Sequence, residues 1–177
     1  MNFSGANLFQ SCLTEASLVG ADLQNANVSQ SHLDRVDLRN ATLVQMRSVL
    51  ATWIGANLSQ ADARGAGFDD SDLSNADLSE CNLQYATFLY SNLGGASLRG
   101  ADLSGAYLVF ASLRGVKDWE KIKSIKCANI FGADAPPGFR SWALSRGAME
   151  IDWNDYQVWL NARDRCMAEV KSSEEVR

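Results

Sequence analysis

Apolar residues recur along this chain at every fifth position. The centres run Phe3, Leu8, Leu13, Leu18, Leu23, Val28, Leu33, Leu38 and Leu43. After a lapse they resume at Leu58 and later run through Leu73, Leu78, Leu83, Phe88, Leu93, Leu98, Leu103 and Leu108 to Leu113, all in one register. Two residues before each centre stands a small residue: Ala6, Ser11, Ala16, Ala21, Ala26 and onward to Ala111. A helix repeats near 3.6 residues and a strand near 2, so a period of five is neither. With the small residue and the centre both inward, each unit must meet the shared interior from a new direction. The other three positions are mostly Asn, Asp, Ser, Arg, Gln and Gly, an outward set. The chain therefore turns once per unit, and successive coils stack about 4.8 Å apart through backbone pairing. Ala or Ser leaves room beside Leu in so narrow a bore. A large residue there would overpack it, at a cost of roughly 1–3 kcal/mol.

The unit is clearest in Gly20-Ala21-Asp22-Leu23, Gly55-Ala56-Asn57-Leu58, Asn75-Ala76-Asp77-Leu78 and Gly100-Ala101-Asp102-Leu103. It resembles the A-[D/N]-L-x-x unit of pentapeptide-repeat proteins, over at least residues 1–115. That resemblance implies an all-β solenoid, a right-handed quadrilateral β-helix with four units per coil. The 23 centres from Phe3 to Leu113 then make 5.75 coils, a rod of roughly 28 Å. A leucine-rich repeat would need Leu at mixed spacings of two and three, which the chain lacks.

The regular register ends after Leu113. Cys127-Ala128-Asn129-Ile130 and Gly132-Ala133-Asp134-Ala135 read as two further units, with Ile125 as the centre of another. Leu113 and Ile125 lie two residues further apart than two units, so an irregularity around Asp118–Lys121 must absorb the excess. The expected organisation is a β-helix over 1–135, regular to 115 and irregular over 116–135, then a C-terminal α-helical cap over 136–177. Pro136-Pro137-Gly138 stops the solenoid. Phe139–Arg146 reads as a short helix closed by Gly147. Asp152 is an N-cap for a second helix to about Val170, with Trp153, Tyr156, Leu160, Met167 and Val170 on one face. Lys171–Arg177 is expected to fray. An open solenoid end needs a cap, which is the simplest role for this region.

Folded four units per coil, centres 20 residues apart share a wall, and three lapses stand out. In the third coil Ser48 replaces a central Leu, Met46 fills a small-residue slot, Trp53 is an oversized centre and Ala63 follows in the next coil. The traded volumes point to a locally repacked interior. Val49, Leu50 and Ile54 fall at outward positions there, an apolar patch of the kind that marks contacts. The wall bearing Phe88 and Leu108 also carries Leu89, Tyr90, Tyr107, Val109 and Phe110. The Trp-rich tail is the nearest cover, so residues 139–170 are expected to fold back onto it, a dimer interface being the competitor. The fourth coil gathers Asp62, Asp69, Asp70, Asp72, Asp77 and Glu80 against Arg64.

Charge divides the chain as sharply as the pattern does. Residues 1–115 contain eleven acidic residues, six arginines and no lysine, and so carry the whole net charge of −5. All five lysines, both prolines and four of the five tryptophans lie beyond them. An acidic rod suits electrostatic mimicry of nucleic acid. Some pentapeptide-repeat proteins act on DNA gyrase in this way, so inhibition or protection of a type II topoisomerase is the alternative reading. The charge here, however, girdles one coil and does not run along the axis.

Little in the chain suggests catalysis. The single histidine, His32, is at an outward position with no triad in view. The glycines sit mostly at unit corners, and no phosphate-cradling loop appears. No Cys pair has C-x-x-C spacing, so Cys12, Cys81, Cys127 and Cys166 read as four reduced structural thiols. No stretch is long enough to span a membrane, and no signal segment precedes the repeat, so a cytoplasmic location is the default. The reading is a non-enzymatic scaffold with rigid faces for protein–protein contact and no cofactor, metal, nucleic acid or membrane partner. Its candidate contact residues are Val49, Leu50, Ile54, Asp69, Asp70, Tyr90 and Phe110. The uncapped first coil adds a homodimer through a solenoid end or face as an expectation. The ending from Ala128 to Leu144 is similar to that of cyanobacterial members, some of which act in regulation.

Overall fold

The structure, a computed structural model, describes residues 1–175, with the side chains of Trp153 and residues 173–175 outside the described set. Its organising feature is a ladder of single-residue parallel bridges joining each residue before a centre to its equivalent 20 positions on. Asn2 pairs with Asp22, Asn7 with Asn27, Cys12 with His32 and Ser17 with Asp37, and the series repeats to Ser97 with Lys117. Four five-residue units therefore make one coil. Among the described residues the bridges stay isolated and never lengthen into strands, because every unit turns after them.

The turn follows from backbone hydrogen bonding. The Ala6 N–H donates to the Phe3 carbonyl at 2.9 Å, and the same bond recurs unit after unit. Two residues past each centre the chain takes φ near +60°, at Gly5, Gln10, Glu15, Gly20, Asn25 and onward. Glycine and asparagine meet this left-handed demand at least cost. Between turns, the Phe3 N–H donates to Asp22 O at 2.7 Å and the Asp22 N–H to Met1 O at 2.9 Å, tying coil to coil. The Asp or Asn before each centre has its own local task. Its side-chain oxygen accepts the N–H two residues on, as with Asp22 and Gln24, Asp72 and Ser74, and Asp77 and Ser79. This is a self-closing Asx turn. The unit's acidity is thus in large part structural.

Inside, the small residues and centres from Leu18 to Leu113 form one continuous buried core. The four walls are named here by their first centres: Phe3, Leu8, Leu13 and Leu18. The third-coil lapse proves to be an internal exchange of volume with a polar purpose. Met46, Ser48, Trp53 and Ala63 are all fully buried, and the Trp53 indole N–H donates to Ser48 Oγ at 2.7 Å. A serine in the bore thus both makes room for the indole and satisfies its donor. Trp53 meets Phe68 edge-on at 5.7 Å, and Phe68 stacks on Phe88 at 5.2 Å, so an aromatic column continues through the next two coils.

The two-residue excess lies where the spacing requires it. A short 3-10 turn, Trp119–Lys121, interrupts the coil, and the bridge offset then changes from 20 to 22, as in Asp102 with Ser124 and Tyr107 with Asn129. The ladder also continues one rung past residue 135. Met149 bridges Asn129, and the Cys127 N–H donates to Gly147 O at 2.7 Å. Helix α1, Phe139–Ser145, is set into that last coil. It closes the bore: Phe139 and Ala143 are buried, Phe139 and Trp142 each meet Trp119 edge-on, and they tilt against one another.

Helix α2, Tyr156–Glu175, follows a 3-10 turn capped by Asp152, whose side chain accepts the Asn154 N–H. It takes no part in closing the end and instead returns along the side of the solenoid. The expected face of Trp153, Tyr156, Leu160, Met167 and Val170 is met in part: Met167 is buried and Leu160 and Val170 are half-buried, but it lacks Trp159, the most deeply buried residue of the helix. Trp159 is the buried residue at 1% exposure, Met167 joins it, and Tyr156 is exposed. Trp159, Arg163, Cys166, Met167 and Val170 form the docked stripe, spaced three and four apart. Trp153 was expected on that face, but its side chain lies outside the described residues. Lys171–Glu175, expected to fray, is helical; residues 176–177 lie outside the described set.

The cysteine expectation is also overturned in part. Cys127 and Cys166 form a disulfide, with Cα atoms 5.9 Å apart. Cys12 and Cys81 are free, and burial pushes the Cys81 thiol far above its ordinary range. Two cysteines 39 residues apart carry no spacing signal. They meet because α2 folds back across the final coil. No helix among the described residues is long and apolar enough to cross a membrane.

Candidate functional site

Six of the seven candidate residues share one wall. Val49, Leu50, Asp69, Asp70, Tyr90 and Phe110 all lie on the Leu8 wall, in two columns running along the axis. The first column past the centre reads Phe9, Ser29, Val49, Asp69, Leu89 and Val109. The second reads Gln10, Gln30, Leu50, Asp70, Tyr90 and Phe110. Ile54 lies on the adjacent Leu13 wall, so the structure sets it round a corner from Val49 and Leu50. Its 41% exposure and the 57% of Leu50 make both outward apolar residues.

The second column is conformationally expensive. Leu50, Tyr90 and Phe110 take φ of 58°, 55° and 55°, where a Cβ crowds the following carbonyl at about 1–2 kcal/mol, a cost that Gln60 and Glu80 of the Leu18 wall also carry. The corresponding corners of the Leu18 wall are Gly20, Asn40, Gln60, Glu80 and Gly100. Tyr90 stacks on Phe110 at 5.2 Å, and Phe110 meets Phe131 edge-on. Next in the column comes Gly132, where any Cβ would strike the Phe110 ring. Tyr90 nonetheless stays 54% exposed.

The C-terminal part of this wall is covered by α2, as expected for the Trp-rich tail. Tyr107 and Val109 are buried beneath Trp159, with Leu89, Phe110, Phe131, Met149, Ile151 and Leu160 packed around them. Tyr107 lies 4.6 Å from the Trp159 ring and meets Tyr156 edge-on at 5.4 Å. On the neighbouring Phe3 wall, Arg163 spans Tyr85 and Trp159 at 5.3 and 4.9 Å from the ring centres. The helix therefore straddles the corner between two walls. The sequence reading missed Trp159, Arg163 and the cysteine pair. An i, i+4 pairing of Trp159 with Arg163 was the one available signal.

The two candidate acids differ. Asp70 is exposed. Asp69 is half-buried and accepts the Leu89 N–H at 2.9 Å. Burial holds its carboxyl above the usual range, against hydrogen bonds from the Leu89 backbone and Thr87. It sits in a recess of about 390 Å³ with Thr87, Leu89, Tyr107 and Tyr156. Burial also raises the Tyr107 hydroxyl, helped by Tyr156 and Asp69. Other acids of that coil are engaged too. Asp62 pairs with Arg64, Asp72 accepts from Asn92, and Asp77 accepts from the Ser79 hydroxyl. His32 is exposed, with Nδ1 3.2 Å from Thr52 Oγ1. Among the described residues no group of His, Cys, Asp and Glu has metal-site geometry.

The family model for pentapeptide repeats matches in eight copies, over residues 2–44, 51–79 and 81–117. Its first gap falls on the lapse that contains Met46, Ser48, Val49 and Leu50. No curated protein matches the chain. Among solved structures, the chain is similar to a pentapeptide-repeat protein from the Arabidopsis thaliana thylakoid lumen, AT2G44920. That likeness has 26% identity over 72% of this chain and 90% of the other, with a TM-score of 0.58. A trypsin-treated variant of QnrB1, a plasmid-mediated fluoroquinolone resistance protein, shares the fold at a TM-score of 0.64. It is 21% identical over 91% of this chain and 82% of its own. HetL, involved in heterocyst differentiation regulation in the cyanobacterium Nostoc, is 33% identical over 76% and 70% of the two chains, with a TM-score of 0.33.

Proposed function

The chain belongs to the pentapeptide-repeat family, and we propose that this member is a non-enzymatic scaffold whose Leu8 wall is a protein-contact face. We take its coil as the family's right-handed quadrilateral β-helix. The observation that carries the reading is the column of Leu50, Tyr90 and Phe110, bulky apolar residues turned outward in left-handed backbone. Glycine or asparagine would build the same turn at lower cost, so the fold does not ask for these side chains. Strain of this kind gathers where function holds it in place. Exposed apolar residues backed by a rigid wall also suit a contact that forms without rearrangement.

The test is a Leu50→Asn/Tyr90→Asn variant in affinity capture from extracts of the source organism. The expected result is loss of the proteins captured by the wild type while the fold is retained. Retention of those proteins would end the reading.

Mimicry of DNA toward a type II topoisomerase is the runner-up, supported by the acidic fourth coil. It is weakened because Asp62 is paired with Arg64, and Asp69, Asp72 and Asp77 each hold one oxygen in a hydrogen bond within the chain. Inhibition of gyrase supercoiling by equimolar protein would reverse this preference. The disulfide favours a compartment where thiols oxidise, against the cytoplasmic expectation.

A further inference from the structure

Helix α2 buries little of its own length. Of its residues with described side chains, Trp159 and Met167 are buried, Leu160, Ala162, Arg163, Cys166 and Val170 are half-buried, and the other ten are exposed. Docking also leaves the Trp159 indole N–H buried with no acceptor, which forfeits a hydrogen bond that water would supply. One covalent link secures the helix, the Cys127–Cys166 disulfide. Upstream, the chain is fixed at Ile151, whose carbonyl accepts from the Asn129 amide at 2.8 Å and whose N–H donates to it at 3.2 Å. The disulfide therefore closes a segment of about 15 residues, and such closure restricts the undocked ensemble on the order of 100-fold.

We propose that this disulfide is a redox latch: a dithiol reductant opens it, α2 lifts, and Tyr107, Val109 and Leu89 join the exposed part of the Leu8 wall. The proposal rests on the reading of that wall as a contact face, which the latch would enlarge and regulate. A recess of about 420 Å³ lined by Lys126, Arg146 and Glu169 opens on Cys166, while Cys127 is fully buried. An incoming thiolate therefore attacks Cys166 Sγ. The S–S bond breaks, its electron pair leaves on Cys127 Sγ, and that sulfur takes up a proton. The second thiol of the reductant, deprotonated, attacks its own sulfur in the mixed disulfide and expels the Cys166 thiolate. The protein gains two electrons and two protons, and the dithiol becomes a disulfide. Lys126 and Arg146 favour the departing thiolate.

Hydrogen exchange on the full chain, with and without dithiothreitol, tests the latch. Alkylation and mass measurement confirm that two new thiols have formed. The expected result is exchange of α2 amides faster on the order of 100-fold, with the ladder amides of Leu23 and Leu73 unchanged. Cys166→Ser should reproduce the reduced state and lose its response to dithiothreitol. Trp159→Ala, which leaves the disulfide in place, should loosen α2 far less. An α2 that stays protected after proven reduction overturns the latch. So does loss of ladder protection along with α2, since the bond would then staple the whole fold. Neither readout needs a partner. Release of α2 with no change in proteins captured by the Leu8 wall would count against the contact reading and leave the latch standing.

Discussion

The Leu8 and Leu18 walls are built from the same five-residue unit, on the same ladder, around the same core. Their outer corners differ. On the Leu18 wall the left-handed corners are Gly20, Asn40, Gln60, Glu80 and Gly100; on the Leu8 wall they include Leu50, Tyr90 and Phe110. One backbone thus supports both, and the first shows that the second is not required for folding. The interior repeats the contrast. Leu38, Leu58 and Leu78 line the bore behind the Leu18 wall, whereas Ser48, Phe68 and Phe88 stand behind the Leu8 wall. The regular wall teaches what the coil needs, and the irregular wall shows what has been added to it.

The largest expected break in this comparison comes from alanine at equivalent corners. Gly20→Ala, with open space around it at φ +64°, should cost about 1 kcal/mol from backbone strain alone. Gly132→Ala adds a collision with the Phe110 ring and should cost roughly 2–4 kcal/mol. Urea denaturation of the two variants measures the difference. Equal losses would mean that the Phe110 column is free to shift.

Next comes the buried hydroxyl. Ser48→Ala strands the Trp53 indole N–H in the bore and should lower stability by about 1–3 kcal/mol. A thermal midpoint unchanged from wild type would show that the exchange of volume matters and the hydrogen bond does not.

The smallest effect is a difference in sign. On the Leu8 wall, burial raises the Asp69 carboxyl above its unfolded value. The unfolded state then binds fewer protons in that window, so this group's contribution falls as pH rises from the ordinary carboxylate value through the raised one. On the Leu18 wall, the Arg39 side chain holds Asp37 low. Its contribution is present above the ordinary value and is lost as pH falls through the depressed one. Stability measured against pH in Asp69→Asn and Asp37→Asn should therefore deviate from wild type in opposite directions. The Asp37 deviation should be slight, because the pair is exposed. Deviations of the same sign would refute the assigned environments.

How much of this was legible depended on whether it repeated. The five-residue unit, four to a coil, follows from local pattern and the similarity to the family. So does the irregularity at Asp118–Lys121, which only required counting from Leu113 to Ile125. The return of the tail onto Tyr107 and Val109 followed from two apolar columns with no other cover. The last rung at Met149 was hidden because Glu150, paired with Arg140, stands where a central Leu would be. The division of labour between α1, which closes the bore, and α2, which lies along the wall, depends on chain direction after Gly147 and leaves no periodic trace. The Cys127–Cys166 pair depends in turn on the register of α2 against the final coil, a tertiary fact. On the candidate face, the sequence located the outward residues. That Asp69 is spent on the Leu89 N–H became visible only when the coils were stacked.

The central claim is that the Leu8 wall keeps its bulky corners for contact at the expense of stability. The most direct test is the Leu50→Asn/Tyr90→Asn variant, measured for both unfolding free energy and protein capture. Relief of left-handed strain should make it more stable than wild type by about 1 kcal/mol, while the captured proteins are lost. A variant that is less stable than wild type, or that binds as before, would contradict the claim.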